Sequence, residues 1–365
     1  MALKPTYLIP NLPPPGVVET AAILREAAKA HRRLAEVKGS AGIIPNQGIL
    51  IDTLSLQEAR ASSEIENIIT TQDEMFQAML FPEAPDHGAA KEVALYNDAL
   101  KCGWELMAKQ KGLLTKNTIV RMFQILKATD IGFRKAPGTQ LKNDTTGQTV
   151  YVPPQDYNEI EAQMILLERF INDDALSDLD PLVKMAVIHH QFESIHPFHD
   201  GNGRIGRIVN VLYLTRTGLL DIPILYLSRY INKNKGDYYR LLQAVRDDGA
   251  WEEWIVYMLR GIAETSEQTL ELIRGVAALM ADYKRRLRSE TKIYSQDLIN
   301  NLFRHPYTRI EFVQRDLDVS RPTASKYLDL LTEKGFVAAH QIGKNKYFVN
   351  QPLLELFLRV SEDAA

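Results

Sequence analysis

One segment of the chain, from His196 to Arg207, concentrates side chains that could carry out a reaction; it reads HPFHDGNGRIGR. An ordinary histidine such as His196 titrates near neutral pH and can accept a proton from a hydroxyl group. Asp200 offers a hard carboxylate oxygen, the kind of ligand that Mg²⁺ prefers. Arg204 and Arg207 are three residues apart, so they share a helix face and can clamp anionic oxygens. The segment therefore predicts a base, a metal ligand and an anion clamp.

The elements that must position these side chains are two helices joined by a sharp loop. Pro197 disfavours helical geometry at His196, so the helix predicted over Pro181 to Ile195 should end there. Glycines in the following loop allow conformations that other residues avoid, and the next helix is predicted over Arg204 to Thr217. A glycine-flanked loop that leads into a helix N-terminus presents free backbone N–H groups, which suits a phosphate.

The same segment matches the pattern of the Fic family, H-P-F-x-[D/E]-G-N-G-R-x-x-R, at every specified position. The chain thus resembles proteins that mostly transfer AMP from ATP to a Ser, Thr or Tyr hydroxyl of a target protein. The resemblance implies His196 as the general base, Phe198 as a packing anchor and Asp200 as the Mg²⁺ ligand. It also implies that the ATP phosphates are bound by Gly201, Asn202, Gly203, Arg204, Ile205, Gly206 and Arg207.

Three other interpretations leave part of this segment unexplained. A purely structural loop has no need of Asn202 and two arginines at fixed spacing. A metal-dependent phosphohydrolase of the HD type could use His189, His190 and His199, but it does not account for the Gly-Asn-Gly-Arg string. Phosphate transfer, as in relatives of the Doc type, goes with a lysine where this chain has Gly203, so AMP transfer is favoured. We expect the first two histidines to be structural and His199 to face solvent.

A second, shorter motif lies upstream. Ser62, Glu66 and Asn67 fit the family's inhibitory pattern [S/T]-x-x-x-E-[G/N]. The resemblance implies that Glu66 pairs with Arg207 and keeps the γ-phosphate of ATP away from that arginine, which would make the protein autoinhibited. The alternative is an acidic residue on a solvated helix face.

Two further features resemble parts of the family's substrate site. Residues 138–154 are predicted to form a hairpin, and the resemblance implies that it binds an extended target segment by β-augmentation. Tyr239 resembles the family tyrosine that contacts adenine, although Arg246 stands where some relatives have asparagine. The implied target-docking residues of the hairpin are Thr149, Val150, Tyr151 and Val152.

Composition bounds the class of protein. The 365 residues are 45% hydrophobic and 24% charged, as expected for a folded globular chain rather than a disordered one. The formal net charge of −3 excludes binding to nucleic acid or an anionic membrane by bulk electrostatics. Prolines interrupt the N-terminal segment, so we expect no secretory signal and a cytoplasmic protein. The single cysteine, Cys102, excludes an intramolecular disulfide and is expected to be a packed core thiol.

We predict a mostly α fold: a Fic helical core with a small β-hairpin flap, and a C-terminal winged helix-turn-helix domain. The expected domains are 1–90, an N-terminal helical region with the inhibitory helix; 91–265, the Fic core; 266–295, a connecting helix; and 296–365, the winged helix. Apolar periodicity and turn signals predict helices over 17–38, 47–80, 91–111, 115–129, 157–172, 181–195, 204–217, 236–247, 252–290, 309–316 and 321–334.

The C-terminal segment does not determine whether the protein binds DNA or another protein. Two strands of a hairpin are predicted at 335–337 and 346–349, after the two short helices. Residues 301–365 carry 9 Lys+Arg against 8 Asp+Glu, a balance that is weak for a DNA-binding domain, so a wing used for protein contacts or for a homodimer is nearly as well supported as DNA binding. The main expectation is an Mg²⁺-dependent, ATP-using transferase acting on target proteins or on itself. The alternative is a winged-helix DNA-binding regulator whose Fic core senses nucleotide without turnover.

Overall fold

Helices form most of the chain, as predicted. The computed structural model describes residues 5–71, 74, 88–143, 146–304, 306–342 and 345–362. In chain order the helices of this described part are α1 (Ala21–Ala41), α2 (Gly48–Ile65), α3 (Gly88–Lys109), α4 (Lys116–Leu126), α5 (Tyr157–Asn172), α6 (Pro181–Ile195), α7 (Asn202–Arg216), α8 (Ser228–Lys233), α9 (Lys235–Asp248), α10 (Trp251–Glu290), α11 (Gln296–Arg304), α12 (Ile310–Leu317), α13 (Arg321–Glu333) and α14 (Gln351–Glu362).

Two small antiparallel sheets accompany the helices. In the first, β1 (Leu141–Lys142) pairs with β2 (Thr149–Tyr151), and the register shifts within β1. The second has the strand order β3-β5-β4. Its strands are β3 (Tyr307–Thr308), β4 (Ala338–Ile342) and β5 (Asn345–Val349).

The helix before the motif forms as local sequence signals predict. Asp180 caps α6, because its carboxylate accepts a hydrogen bond from the Leu182 N–H at 2.8 Å, and proline occupies the first turn. Every residue from Leu182 to Ile195 is buried, so α6 lies at the centre of the core. Its polar and charged residues are therefore buried as well; they are Lys184, His189, His190, Gln191, Glu193 and Ser194.

The prediction of one helix over residues 47–80 is wrong at its C-terminal side. Helix α2 ends at Ile65, and Asn67 adopts a left-handed conformation with φ of 60°. The Ile68 N–H then bonds back to the Ser63 carbonyl at 3.0 Å, which closes the helix end as a left-handed cap does. The predicted boundary at 81–88 lies outside the described residues, except for Gly88.

Helix α10 is continuous over 40 residues and lies along α1. Its buried side chains continue past residue 265, among them Leu270, Ile273 and Met280. One cluster of buried apolar residues extends from Ile9 to Phe357. The proposed domain limits therefore remain predictions, and residues 266–290 pack as part of this core.

The C-terminal region contains α12 and α13 close to their predicted limits. The segment predicted as a strand at 335–337 instead holds Gly335 at φ of 71° and two buried residues, and β4 begins at Ala338. Helices α8, α11 and α14 were not predicted. The identification as a winged helix stays a prediction. Within the described residues, no helix has the length and apolar character needed to cross a membrane.

Candidate active site

His196 terminates α6 in a left-handed conformation, with φ of 48° and ψ of 59°. Arg134 fixes this turn, because its Nε donates to the His196 carbonyl at 2.8 Å and its backbone N–H donates to the Pro197 carbonyl at 2.9 Å. Burial, followed by the positive charges of Arg134 and Arg246, lowers the pKa of His196 to about 3. The imidazole is therefore neutral at pH 7, and it titrates far below the range expected from sequence.

Phe198 and Asn202 hold the loop that follows. Phe198 is fully buried and stacks on Phe123, with ring centroids 4.0 Å apart. The side chain of Asn202 accepts from the Phe198 N–H and donates to the Phe198 carbonyl, both at 2.9 Å. The side chain of Asn202 thus braces the loop, and the backbone N–H and the second N–H of its carboxamide are the donors that it can offer to an anion.

Asp200 lies at the surface of the same loop. Its side chain is 64% exposed, and its carboxylate accepts from the Gly201 N–H at 2.6 Å and from Lys127 Nζ at 2.7 Å. Partial burial acts to raise the pKa of Asp200, but the hydrogen bond and charge of Lys127 hold it below its usual value. No cluster of three or more His, Cys, Asp or Glu side chains suited to a metal occurs in the described part. One accessible carboxylate still fits Mg²⁺, which takes most of its remaining ligands from water and nucleotide phosphates.

Arg207 is buried and is held by three hydrogen bonds to residues of α2 and its C-terminal cap. Its Nε donates to Ser62 Oγ at 2.8 Å, and its Nη2 donates to the Ser62 carbonyl and to Glu66 Oε1, both at 2.9 Å. Glu66 caps the C-terminus of α2, so the end of that helix places it there. Asn67, the third residue of the upstream motif, supplies the left-handed residue that ends the helix.

Two glycines at the start of α7 permit close approach of acidic side chains. A Cβ at Gly203 would collide with the Glu66 carboxylate and lie 2.9 Å from Arg207 Nη1. A Cβ at Gly206 would lie 2.8 Å from Glu193 Oε1. The Glu66 carboxylate therefore lies directly over Gly203, on the surface that the motif assigns to phosphate. Ile205, also assigned to that surface, is fully buried.

Arg204 has a different partner. This residue is buried, and its Nη1 donates to Glu92 Oε2 of α3 at 2.7 Å, while Nη2 lies 3.8 Å from Asp200 Oδ2. Its Nε is buried and forms no hydrogen bond with the described residues.

The four predicted docking residues of the flap divide into two pairs. Thr149 and Val150 are exposed, whereas Tyr151 and Val152 are buried. Tyr151 Oη donates to the Ser194 carbonyl at 2.6 Å, and the backbone of Val152 is hydrogen-bonded to Thr6 of the N-terminal arm. Only the outer pair presents side chains to a partner.

Tyr239 is 47% exposed and packs edge-on against Tyr238, which belongs to the core. The buried His189 bonds to Tyr238 Oη at 2.9 Å, and His190 bonds to a backbone carbonyl. His199 is exposed. The two helix histidines are therefore structural, as expected. Cys102 is half-buried rather than a core residue, and burial raises the pKa of its thiol.

Sequence reasoning missed several charged residues around the motif. Arg134 lies in a loop without periodicity, Glu92 lies on a helix that carries no motif, and Lys127 directly follows the end of α4. Glu193 carries a weaker signal, because it is an acidic residue between Phe192 and Ile195 on the helix that leads into the motif, and acidic side chains are rarely fully buried. Burial raises the pKa of Glu193 to about 7, and burial likewise raises the pKa of Glu58, on α2, to about 7.

Three family models match the chain. They are the Fic/DOC family N-terminal model over residues 24–105, the Fic/DOC family model over 114–214, and the C-terminal domain of the SoFic-like protein adenylyltransferase model over 279–353. The first two include the upstream motif and the whole His196 to Arg207 segment.

Curated relatives match over a shorter part. The proteins named "Protein adenylyltransferase Fic" of Drosophila erecta and Drosophila yakuba are 30% and 32% identical over 122 residues, which are 33% of this chain. The match spans only 22% of the length of these relatives.

Solved structures share the fold. A Fic family protein from Desulfovibrio desulfuricans G20 superimposes with a TM-score of 0.59 at 18% identity, covering 92% of this chain and 98% of that one. Fic-1 (residues 134–508) from C. elegans gives a TM-score of 0.54 at 18% identity, covering 70% and 73%. Motif, fold and family models agree that the chain belongs to the Fic/DOC family.

Proposed function

We propose that this protein is an autoinhibited protein adenylyltransferase, which transfers AMP from ATP to a Ser, Thr or Tyr hydroxyl of a target protein. The observation that carries the proposal is the arrangement of the loop. A neutral histidine, an accessible carboxylate and a glycine-flanked helix N-terminus lie within one short segment. These are the groups needed to deprotonate a hydroxyl and to hold a triphosphate.

In the proposed reaction, His196 accepts the proton of the target hydroxyl while the hydroxyl oxygen attacks the α-phosphorus of ATP. The bond between the α-phosphorus and the oxygen bridging to the β-phosphate breaks, and pyrophosphate leaves. The backbone N–H groups at the start of α7, together with Arg204 and Arg207, stabilise the phosphate charges. Mg²⁺ held by Asp200 would neutralise part of the charge on the phosphates.

The low pKa of His196 fits this role once ATP is considered. In the free protein the imidazole is neutral at pH 7, so the base is not lost to protonation. A bound triphosphate brings several negative charges close to the ring, and negative charge raises the pKa of a nearby histidine. Binding of ATP therefore moves His196 toward the range in which general bases work best.

The proposed inhibition rests on the position of Glu66. Its carboxylate occupies Arg207 and lies over Gly203. A γ-phosphate cannot bind the same guanidinium edge at the same time. ATP bound beside Glu66 would then leave its α-phosphorus out of line with the target hydroxyl, and loss of alignment alone costs much of the rate.

The test uses Glu66→Gly with ATP labelled on either the α- or the γ-phosphate, added to a cell lysate with MgCl₂. AMP transfer places only the α-label on proteins, whereas phosphate transfer places only the γ-label. The matched control is Glu66→Gly combined with His196→Ala, which should lower the labelling rate by about 10²- to 10⁴-fold. Absence of α-label with the Glu66→Gly protein, including on itself, would contradict the proposal. Sequence-selective DNA binding without labelling would favour a nucleotide-sensing regulator.

A further inference from the structure

Two arginines bond to the end of α6, Arg134 at the His196 carbonyl and Arg246 at Ser194 Oγ, and neither forms an ion pair with a carboxylate of the described residues. Arg134 comes from the loop after α4 and is only 1% exposed. Arg246 comes from α9 and is half-buried. Burial lowers the pKa of both guanidinium groups. Burying two cations that have no close ion pair near a titratable ring is costly, which calls for a functional reason.

Arg134 joins the end of α6 to the end of the flap. Its Nε donates to the carbonyl of His196 at 2.8 Å, and its Nη2 donates to the carbonyl of Pro154, just after β2. The left-handed conformation of His196 is uncommon for a residue other than glycine and persists only where surrounding contacts determine it. Arg134 provides such a contact.

Arg246 makes the corresponding connection from the other side. Its guanidinium lies over the ring of Tyr151 of β2, 3.9 Å from the centroid. Its Nε donates to Ser194 Oγ at 3.2 Å, two residues before His196. Tyr151 also donates to the Ser194 carbonyl, so the flap strand, the arginine and the end of α6 form one connected unit.

We infer that Arg134 and Arg246 are positioning residues for His196, which fix the end of α6 by joining it to the flap through Pro154 and Tyr151. The inference deepens the proposed function, since it concerns how the proposed base is prepared. Both guanidinium groups are positively charged, and positive charge disfavours protonation of the His196 imidazole.

The charges around the ring support this assignment. After burial, Arg134 and Arg246 are the largest influences that lower the pKa of His196, whereas the Glu193 carbonyl and the Asp200 carboxylate raise it. Glu159 acts on Arg134 and Glu193 acts on Arg246, but both remain too far to form ion pairs. Removing either positive charge should therefore raise the pKa of His196.

The first test does not require activity. In protein labelled with ¹⁵N-histidine, the His196 ring signals are identified by their loss in His196→Ala and followed from pH 8 to 4.5. Wild-type His196 should stay neutral throughout. Arg134→Gln and Arg246→Gln should each raise its pKa by about 1 unit, and the double variant should titrate inside the window. Arg240→Gln is the control, because Arg240 lies on the same helix but is 63% exposed and pairs with Asp237.

The second test measures the pH profile of AMP transfer in the Glu66→Gly background. Charge removal should shift the acid limb upward by about 1 unit, and Arg246→Lys should restore it in part. An unchanged His196 titration in a folded double variant would overturn the inference, as would an equal loss of transfer at every pH. If Arg134→Gln does not fold, the His196 titration in Arg246→Gln alone tests the inference, and an unchanged pKa there would overturn it. Failure of the proposed function would instead appear as no α-label with the Glu66→Gly parent, whatever the titration shows.

Discussion

The two motif arginines of α7 are held in different ways by different helices, Arg207 from the α2 flank of the site and Arg204 from the α3 flank. On the α2 flank, Arg207 makes three hydrogen bonds to Ser62 and Glu66, and its side chain is 1% exposed. On the α3 flank, Arg204 pairs with Glu92 at 2.7 Å and more loosely with Asp200 at 3.8 Å, and the side chains of these two partners are 36% and 64% exposed. The Nε of Arg204 remains without a hydrogen bond in the described part of the chain.

This difference indicates which flank controls the site. A buried arginine bonded to a carboxylate, a hydroxyl and a carbonyl gives up its partners only at considerable cost. An arginine paired with two carboxylates that are themselves partly exposed exchanges them for phosphate more easily, because solvent screens those pairs. Inhibition should therefore depend on α2, and α3 should adjust nucleotide affinity.

The largest effect is expected from Glu66→Gly. Freeing Arg207 lets the γ-phosphate align ATP, so the rate of AMP transfer should rise by an order of magnitude or more. The measurement is initial-rate labelling from α-labelled ATP. In the Glu66→Gly, Arg207→Ala double variant the gain should vanish, since the released arginine is no longer present.

A smaller increase is expected from Ser62→Ala. This change removes one hydrogen bond to Arg207, and hydrogen bonds to charged groups contribute about 1.5–3 kcal/mol, but Glu66 and the Ser62 carbonyl remain. Transfer should rise by about 3- to 5-fold. A rate equal to that of Glu66→Gly would mean that the hydroxyl, not the carboxylate, is the main restraint.

Glu92→Gln should act on binding rather than on rate. Loss of the carboxylate charge frees Arg204 for phosphate, and ATP should bind about 2- to 3-fold more tightly, as measured by calorimetry, because the ion pair is partly screened. The transfer rate at saturating ATP should change less than in Ser62→Ala. If Glu92→Gln raised the transfer rate as much as Glu66→Gly does, the two helices would not differ in their control of the site.

The smallest effect is expected at the far end of α2. Arg304 of α11 donates to Asp52 at 2.8 Å, and Asp52 is also paired with Lys101. Because the second partner and the buried face of α2 remain, Arg304→Ala should leave transfer within about 2-fold of wild type. A rise of tenfold would show that the C-terminal region controls Glu66 through α2.

Local signals predicted the centre of the fold well. Helices α5 and α6 lie where apolar periodicity, an aspartate cap and proline place them, and Pro197 correctly marks the end of α6. The end of α2 was missed because apolar spacing continues beyond it, whereas the left-handed Asn67 stops the helix. Short α8 carries too few residues for its periodicity to be recognised.

The site was predicted in its linear motif but not in its surroundings. Pairing of Glu66 with Arg207 followed from the resemblance, and the two side chains do meet in the structure. The contacts of Arg134 with His196 and Pro154 are decided by packing of distant segments, which no local pattern encodes. The low pKa of His196 could not be predicted from local sequence either, because it results from burial and from the charges of Arg134 and Arg246, which are distant in the sequence.

The pairing of α1 with α10 also bears on how the chain is made. Arg33 of α1 contacts Glu267 of α10, 234 residues later. At a synthesis rate of 5–20 residues per second, α1 waits roughly 10–50 s for this partner. During that time the apolar face of α1 can be covered only by segments synthesised before α10 or by a chaperone. The N-terminal helix should therefore be among the last elements to acquire native packing on the ribosome.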